Sequence, residues 1–317
     1  MSIGVRSTHV AIIGAGSVGA TIAYAALMKG LCDRVTLIDV DQGKAEAEVL
    51  DLNHGLEFMA TASVELGAGL ESCRGADVVV LTAGAKQKPG QSRLDLARAN
   101  ADMCRVVVPQ VFAAAPQTVL LVVTNPVDVV THVAATVAGE HSGQVLGSGT
   151  VLDSSRLRYL LARTCAVAVP TVHAHVVGEH GDSEIVLWST ATIGGVSLDR
   201  WTSSDGTRLT GADRDRLAAD VRDAAYRIIA GKGATNWAIG AATTRIVAAI
   251  LHDEHRVLPV TLPLRGELGL SGVSLSLPRL VGAHGGGAAL PVALSEGEMS
   301  ALEASARAVG DALAAVG

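Results

Sequence analysis

The sequence predicts an α/β protein in which a doubly wound parallel sheet is followed by a second, mixed α/β domain. In the first half, short runs of Val, Ile and Leu alternate with amphipathic stretches. This alternation is typical of strands buried on both faces and of the helices that cover them. Near residue 148 the pattern changes to short strand pairs and long helices, which places the two domains at residues 1–148 and 149–317.

The elements follow in order. The predicted strands of the first domain are the apolar runs HVAIIG, RVTLIDV, ADVVVLTAG and TVLLVVTNP, and helices are predicted at residues 18–29, 43–58 and 91–115. In the second domain, Asp153 is the predicted N-cap of a helix, and antiparallel strand pairs follow it. The remaining elements are helices over 210–231 and 235–252, a hairpin in GVSLSLPRLVGAHGGGAAL, and a closing amphipathic helix.

Composition excludes several classes of protein. A net charge of −6 argues against a surface for nucleic acid or anionic membrane. The N-terminal segment lacks the apolar stretch of a signal peptide, and no uninterrupted apolar segment is long enough to span a bilayer. The four cysteines are widely spaced with no CxxC pair, which favours reduced thiols and neither a disulfide framework nor a zinc ribbon. We therefore expect a cytoplasmic protein without a metal site.

A glycine motif directly after the first strand predicts a dinucleotide site. Gly14-x-Gly16-x-x-Gly19 opens a helix, where glycines allow a tight turn, close approach of a pyrophosphate, and close packing of helix on strand. Asp39 ends the second strand, where a carboxylate accepts from the ribose 2′-hydroxyl and repels a 2′-phosphate. NAD is thus the predicted cofactor. Its predicted contacts are Gly14, Gly16, Ser17, Val18, Gly19, Asp39, Thr82, Ala83, Gly84 and Asn125.

Polar residues at strand ends and in the second domain are candidates for catalytic or ligand-binding roles. Asn125 ends the last strand of the first domain, at the edge where a ligand would lie, although an Asn before Pro is also a common turn residue. Asp153 and Arg156 share one helix face, and Arg158 points away from it. Such a group is usually a solvated surface cluster. His180 lies in a glycine-flanked loop, where a lone His is more often structural than catalytic, although its pKa range suits acid–base work.

Several motifs together resemble the L-lactate dehydrogenase branch of the lactate/malate dehydrogenase family. They are GAGSVG, TAGAKQKPGQSRLDL, TNPVDV, GSGTVLDSSRLR, GEHGDSE, GKGATNW and GVSLSLPRLVG, and they span essentially the whole chain in family order. The resemblance implies a Rossmann domain followed by an α/β substrate domain, with pyruvate and L-lactate as substrates. It also implies a bacterial-type homotetramer.

The resemblance assigns roles to individual residues. His180 would donate the proton to the pyruvate carbonyl, and Asp153 would hold its imidazole. Arg156 would grip the substrate carboxylate with a bidentate fork. Arg93 would be carried on a mobile loop that closes and polarises the carbonyl. The predicted substrate contacts are Gln87, Arg93, Asn125, Arg156 and Thr235.

Gln87 is the predicted selector of the substrate. The malate dehydrogenase branch has Arg at this position, which pairs with the second carboxylate of oxaloacetate. Gln87 offers a neutral amide, and a buried charge without its partner costs about 3–5 kcal/mol. Its neighbours Lys86 and Lys88 are expected to point outward, because side chains alternate along an extended segment. Pyruvate is therefore favoured over oxaloacetate.

Arg158 and His173 match positions that bind fructose 1,6-bisphosphate in activated bacterial relatives. Paired across a two-fold axis, they would form a four-cation anion site between subunits, unless both make ordinary surface contacts. Other activities stay open: malate dehydrogenase, a branched-chain 2-hydroxy acid dehydrogenase, or a catalytically silent NAD-binding protein. The last would be expected to have lost one of His180, Asp153, Arg156 and Arg93.

Overall fold

The structure is a computed structural model that describes residues 7–85, 93–203, 206 and 208–317. Gln87 and its neighbours Lys86 and Lys88 lie outside the described residues. The backbone of Arg93 is described as the first residue of a helix, but its side chain is not.

Six parallel strands and their connecting helices make up the first half of the described chain. The elements are β1 His9–Ile13, α1 Ser17–Met28, β2 Arg34–Ile38, α2 Gln42–Gly55, β3 Ser63–Gly67, β4 Val78–Leu81, α3 Arg93–Ala114, β5 Val119–Val122, α4 Val127–Val137 and β6 Val145–Gly147. The strand order is β3-β2-β1-β4-β5-β6, which is the order of a Rossmann sheet built from two mononucleotide-binding halves. The predicted fold class is confirmed.

The second half combines short antiparallel pairs with long helices. Its elements are α5 Val151–Thr164, β7 Val172–His173, β8 Val176–Val177, β9 Ile185–Val186, β10 Thr192–Ile193, β11 Val196–Ser197, α6 Gly211–Lys232, α7 Trp237–Leu251, β12 Arg256–Arg265, β13 Ser271–Gly282, β14 Gly285–Ala289 and α8 Glu296–Val316. Strand β8 pairs with β9, and β10 pairs with both β7 and β11. The loop between β8 and β9 contains His180.

Strands β12 to β14 extend the sheet of the first half. The sheet order is β14-β13-β12-β6-β5-β4-β1-β2-β3, and β12 meets β6 antiparallel where Thr261 lies opposite Gly147. The sequence did not predict β12, because prolines within a run argue against an interior strand. Here Pro259 lies opposite Pro278, and its carbonyl accepts from the Thr150 N–H at 3.2 Å. The sheet thus crosses the predicted domain boundary near residue 148, and that boundary stays a prediction.

Helix α5 begins earlier than the sequence predicted. Thr150 is at the N-cap and Asp153 is the third helical residue, so the prediction of Asp153 as N-cap was wrong. The chain leaves β6 through Gly149, whose φ of +52° turns the backbone before Asp153 is reached. Asp153 therefore lies in the first turn of α5, where its side chain is 1% exposed. This placement makes the carboxylate available inside the protein rather than at a helix end.

All four cysteines are free and buried. Burial raises the pKa of the thiols of Cys32, Cys73 and Cys104 to about 12, and it raises the pKa of the Cys165 thiol as well. In the described part of the chain, no helix is long and apolar enough to cross a membrane.

Candidate active site

The three glycines after β1 are required for three different reasons. Gly14 has a φ of +108°, and a Cβ there would lie 2.5 Å from the backbone nitrogen of Ala83. A Cβ on Gly19 would lie 1.9 Å from the Gly14 carbonyl oxygen, so only glycine lets α1 pack this close to the loop. Beside Gly16 the nearest atom is the Lys44 Nζ, 3.9 Å away. This open side is where a phosphate can approach the backbone.

These glycines line a cavity of about 570 Å³ at the carboxyl ends of the strands. The cavity lies between β1 and β4, where the strand order reverses and ligands of such sheets bind. Gly16, the N-cap of α1, has no side-chain cap, which leaves the first N–H groups of the helix for an anion. The lining includes Gly14, Gly16, Ser17, Val18, Gly19, Asp39, Thr82, Ala83, Gly84, Asn125 and Thr235. The residues assigned to NAD from the sequence thus meet in one cavity that fits a dinucleotide.

Asp39 shapes the glycine loop with both carboxylate oxygens. Its Oδ2 accepts from the Ala15 N–H at 2.7 Å, and its Oδ1 accepts from the Asp41 N–H at 3.0 Å. Each carboxylate oxygen can accept a second hydrogen bond, so a ribose hydroxyl can still bind there. The carboxylate therefore positions the loop and keeps the lining negative where a 2′-phosphate would lie.

Asn100 links two strand ends and was missed by the sequence analysis. It is 2% exposed, donates from Nδ2 to the Asn125 carbonyl at 2.7 Å, and accepts from the Ala85 N–H at 2.8 Å. The Asn125 side chain accepts from the Val127 N–H at 3.2 Å, after a cis Asn125–Pro126 peptide bond. Asn125 thus serves as a turn residue and also lines the cavity.

His180, Asp153 and Arg156 meet although they are spread over 28 positions of the chain. The His180 Nδ1 lies 2.6 Å from the Asp153 Oδ2, and the Arg156 Nη1 donates to the Asp153 Oδ1 at 2.6 Å. The Arg156 side chain is 14% exposed. The geometry therefore argues against a solvated surface cluster, because an imidazole and a guanidinium that are only partly exposed share one buried carboxylate.

Neighbouring charges hold this group in its ionised form. Burial alone would lower the pKa of His180, but Asp153 outweighs it through charge and hydrogen bond, helped by Asp128 and Glu184. The result is a pKa raised to about 9. Burial works against ionised Asp153, yet His180 and Arg156 keep the pKa of that carboxyl below its ordinary value. At neutral pH the imidazole is protonated and ready to donate.

Asp128 and Glu184 were missed by the sequence analysis. Asp128 is 2% exposed in the first turn of α4, where burial raises its pKa to about 6. One oxygen of Glu184 lies within 4.8 Å of ligand atoms of both Asp153 and His180, and burial and Asp153 raise its pKa to about 8. Asp128 could have been noticed in the sequence, because it is the one acidic residue in the apolar helix VDVVTHVAATV.

The predicted effector residues lie near other basic side chains. Arg158 donates from Nε to the Ala174 carbonyl at 2.9 Å, and His173 is exposed in β7. Burial and the charges of Arg158 and His173 lower the pKa of His175 to about 4, so the three side chains are neighbours. Burial and the charge of Arg256 lower the pKa of Arg158. Arg256 itself lies 3.2 Å from Glu254.

A glycine-lined dinucleotide cavity and an imidazole–carboxylate pair in the same protein are typical of a nicotinamide-dependent dehydrogenase. Residues 8–147 match the family model of the lactate/malate dehydrogenase NAD binding domain, and residues 150–315 match that of the alpha/beta C-terminal domain. The chain belongs to the lactate/malate dehydrogenase family, and NAD is its cofactor.

Similar proteins cover nearly the whole chain. An L-lactate dehydrogenase of Bifidobacterium animalis is 45% identical over 99% of this chain and 98% of its own length. An L-lactate dehydrogenase of Nitratidesulfovibrio vulgaris is 48% identical over 97% of this chain and 99% of its own length. Among solved structures, the minor L-lactate dehydrogenase of Enterococcus mundtii in its ligands-bound form has a TM-score of 0.94 at 40% identity, covering 98% of this chain and 99% of that chain.

Proposed function

We propose that this protein is an NAD-dependent L-lactate dehydrogenase that interconverts pyruvate and L-lactate. The observation that carries the proposal is the His180–Asp153–Arg156 group, which holds a proton donor and an anion-binding guanidinium together in a protein that binds NAD. The names of the full-length relatives support the same reaction.

His180 is the proposed proton donor. Bound NADH supplies the hydride that reduces the carbonyl carbon. The Nδ1 of His180 is engaged by Asp153, so the Nε2 is the ring nitrogen that remains to give a proton to the carbonyl oxygen. The Asp153 carboxylate fixes the ring orientation and stabilises the imidazolium before transfer. In the reverse direction, the neutral ring takes the hydroxyl proton of lactate.

Arg156 is the proposed carboxylate clamp. It uses Nη1 for Asp153, and the remaining N–H groups of its fork can bind a carboxylate in bidentate fashion. Asn125 and Thr235, which line the cofactor cavity, would limit the pocket on the nicotinamide side. Arg93 would polarise the carbonyl when its loop closes.

Gln87 is the proposed selector for pyruvate. We expect NADH oxidation by the wild-type protein to be at least about a hundredfold more efficient in kcat/KM with pyruvate than with oxaloacetate. Gln87→Arg should reverse the preference, and Gln87→Asn is the matched neutral control. Preference of the wild type for oxaloacetate would identify a malate dehydrogenase. Activity restricted to larger 2-oxo acids would identify a branched-chain enzyme, and inactivity with every substrate a silent NAD-binding protein.

Fructose 1,6-bisphosphate is the proposed effector of a homotetramer, bound by Arg158 and His173 at a subunit interface. The neighbouring Arg256, which lies 3.2 Å from Glu254, is a further basic residue near this site. The sugar bisphosphate should lower the KM for pyruvate and slow tetramer dissociation in sedimentation. Arg158→Gln and His173→Asn should abolish both effects, whereas Arg227→Gln, at an exposed arginine, should not. No effect on KM or on the tetramer at any pH tested would refute this site.

A further inference from the structure

Asp128 is buried directly behind the catalytic loop and is not part of the proposed reaction. Its Oδ2 accepts from the backbone N–H of His180 at 2.7 Å. Its Oδ1 accepts from the Thr261 hydroxyl at 2.6 Å. The carboxylate therefore joins α4 and the sheet strand β12 to the loop that carries the proton donor.

A directed chain of hydrogen bonds extends from Asp128 to the helix that carries Asp153. Thr150, the N-cap of α5, donates from its N–H to the Ser276 Oγ at 3.1 Å. The Ser276 Oγ lies 2.9 Å from the Thr261 Oγ1. Since Thr261 gives its proton to Asp128, the Ser276 hydroxyl donates to Thr261. Every member then has a partner when both oxygens of Asp128 act as acceptors.

The chain also holds the base of the catalytic loop. The backbone of Ser276 exchanges two hydrogen bonds of 2.9 Å with Gly178, two residues before His180. Thr261 and Ser276 have no solvent exposure, so water does not compete for these bonds. A displacement of Asp128 would therefore move both partners of the His180–Asp153 pair.

We propose that Asp128 is a positioning residue for His180, which anchors the backbone of the catalytic loop and keeps a second buried negative charge beside the imidazole. The inference rests on the proposed role of His180 as proton donor. The charged groups that act on His180 or on its neighbours are Asp153 and Arg156 from α5, Asp128 from α4, Arg222 from α6, and Glu179 and Glu184 from the loop. Asp153 is the larger influence, and Asp128 adds to it in the same direction.

Asp128→Asn removes the negative charge of the side chain and keeps its size and shape. The amide oxygen can accept from the His180 N–H, and the amide nitrogen can donate to Thr261 once the hydroxyls of Thr261 and Ser276 rotate. Glu298→Gln is a matched control, because Glu298 is 8% exposed, accepts from Ser189 and Ser295, and lies outside this network. Only the first variant should change the protonation of His180.

The first readout is the NMR titration of His180 in the free protein, with the signal assigned by its loss in His180→Asn. We expect Asp128→Asn to lower the titration midpoint by about one pH unit and Glu298→Gln to leave it unchanged. In steady-state assays, kcat/KM for pyruvate should then fall about tenfold near pH 9.5 and less than about twofold at pH 7. An unchanged midpoint in Asp128→Asn would overturn the proposal.

The second readout does not require Asp128→Asn to fold. Coupling between two ionising groups is reciprocal, so removal of the imidazolium must raise the pKa of Asp128. Titration of the carboxyl carbon of Asp128 should therefore shift upward by about one unit in His180→Asn relative to wild type. An equal midpoint in both proteins would overturn the proposal. Neither titration needs a substrate, so a wild-type protein inactive with pyruvate would refute the proposed function alone.

Discussion

Two histidines, one buried in the sheet and one partly buried in the catalytic loop, have opposite protonation. His9 in β1 is 1% exposed, and its pKa falls to about 4 because of burial and of the Arg34 charge. The His180 side chain is 25% exposed, and neighbouring carboxylates raise its pKa to about 9. Burial disfavours the charged form in both regions. The difference shows that the sign of the neighbouring charge decides whether a buried histidine is a structural base or a proton donor.

The hydrogen bonds agree with these protonation states. The Arg34 Nη2 lies 3.0 Å from the His9 Nδ1 and must donate to it, so the proton is on Nε2, which donates to the Thr36 hydroxyl at 2.8 Å. A second proton on His9 would break the contact with Arg34. At His180 the partner of Nδ1 is a carboxylate, which can only accept a hydrogen bond, so Nδ1 carries a proton.

The largest expected effect comes from removing the donor. His180→Asn should lower kcat for pyruvate reduction by about a thousandfold, because general acid catalysis is lost. His9→Gln should leave kcat within about twofold, because His9 lies in the sheet and away from the cavity lining. Steady-state kinetics at pH 7 measures both. A comparable loss in the two variants would contradict the division of roles.

Asp153→Asn should reduce the difference in pKa between His180 and His9. Without its main carboxylate, burial dominates at His180 and its pKa moves toward that of His9. We expect kcat/KM for pyruvate to fall about a hundredfold at pH 8, with the loss decreasing at lower pH. A loss that is uniform across pH would indicate displaced geometry and not altered protonation.

His9 should limit stability at the acid end of the pH range. The folded pKa of His9 is below the unfolded value of 6.5, so the unfolded state binds more protons and stability falls as pH drops from 6.5 toward 4. At pH 5 this amounts to roughly 2 kcal/mol. Denaturant titrations should show a smaller acid-side loss in His9→Gln than in wild type. His252→Gln, at an exposed histidine, is the control and should retain the full loss.

The alkaline limit of the reaction should follow His180. The protonated ring is needed to reduce pyruvate, so kcat/KM should be constant up to a pH of about 9 and then fall about tenfold per unit. Lactate oxidation needs the neutral ring and should rise over the same range. A pyruvate profile that already declines near 6.5 would show that the carboxylates do not raise the pKa of His180.

The sequence predicted those parts of the molecule that depend on local pattern. Gly14, Gly16 and Gly19 were assigned correctly to a strand–turn–helix, because backbone geometry alone demands glycine there. The pairing of His180 with Asp153 needed the resemblance to a family, since only the fold brings residues 27 positions apart together.

The missed features have a common physical reason. Strand β12 was not predicted because Pro259 and Pro263 contradict strand preference, and their pairing with β13, where Pro259 lies opposite Pro278, is visible only in the fold. Asp128 was not assigned a role because its partners, the His180 backbone and Thr261, are 52 and 133 positions away. In both cases the explanation is a tertiary contact between residues that are far apart in the sequence, and no short sequence segment contains both partners.

The cysteines of this protein cannot act as sensors of oxidants. The thiolate is the form that peroxide and disulfides attack, and burial raises the pKa of all four thiols, which lie in the described part of the chain. An oxidising shift in the cell would therefore reach this reaction through the ratio of NADH to NAD+ and leave these four thiols unmodified.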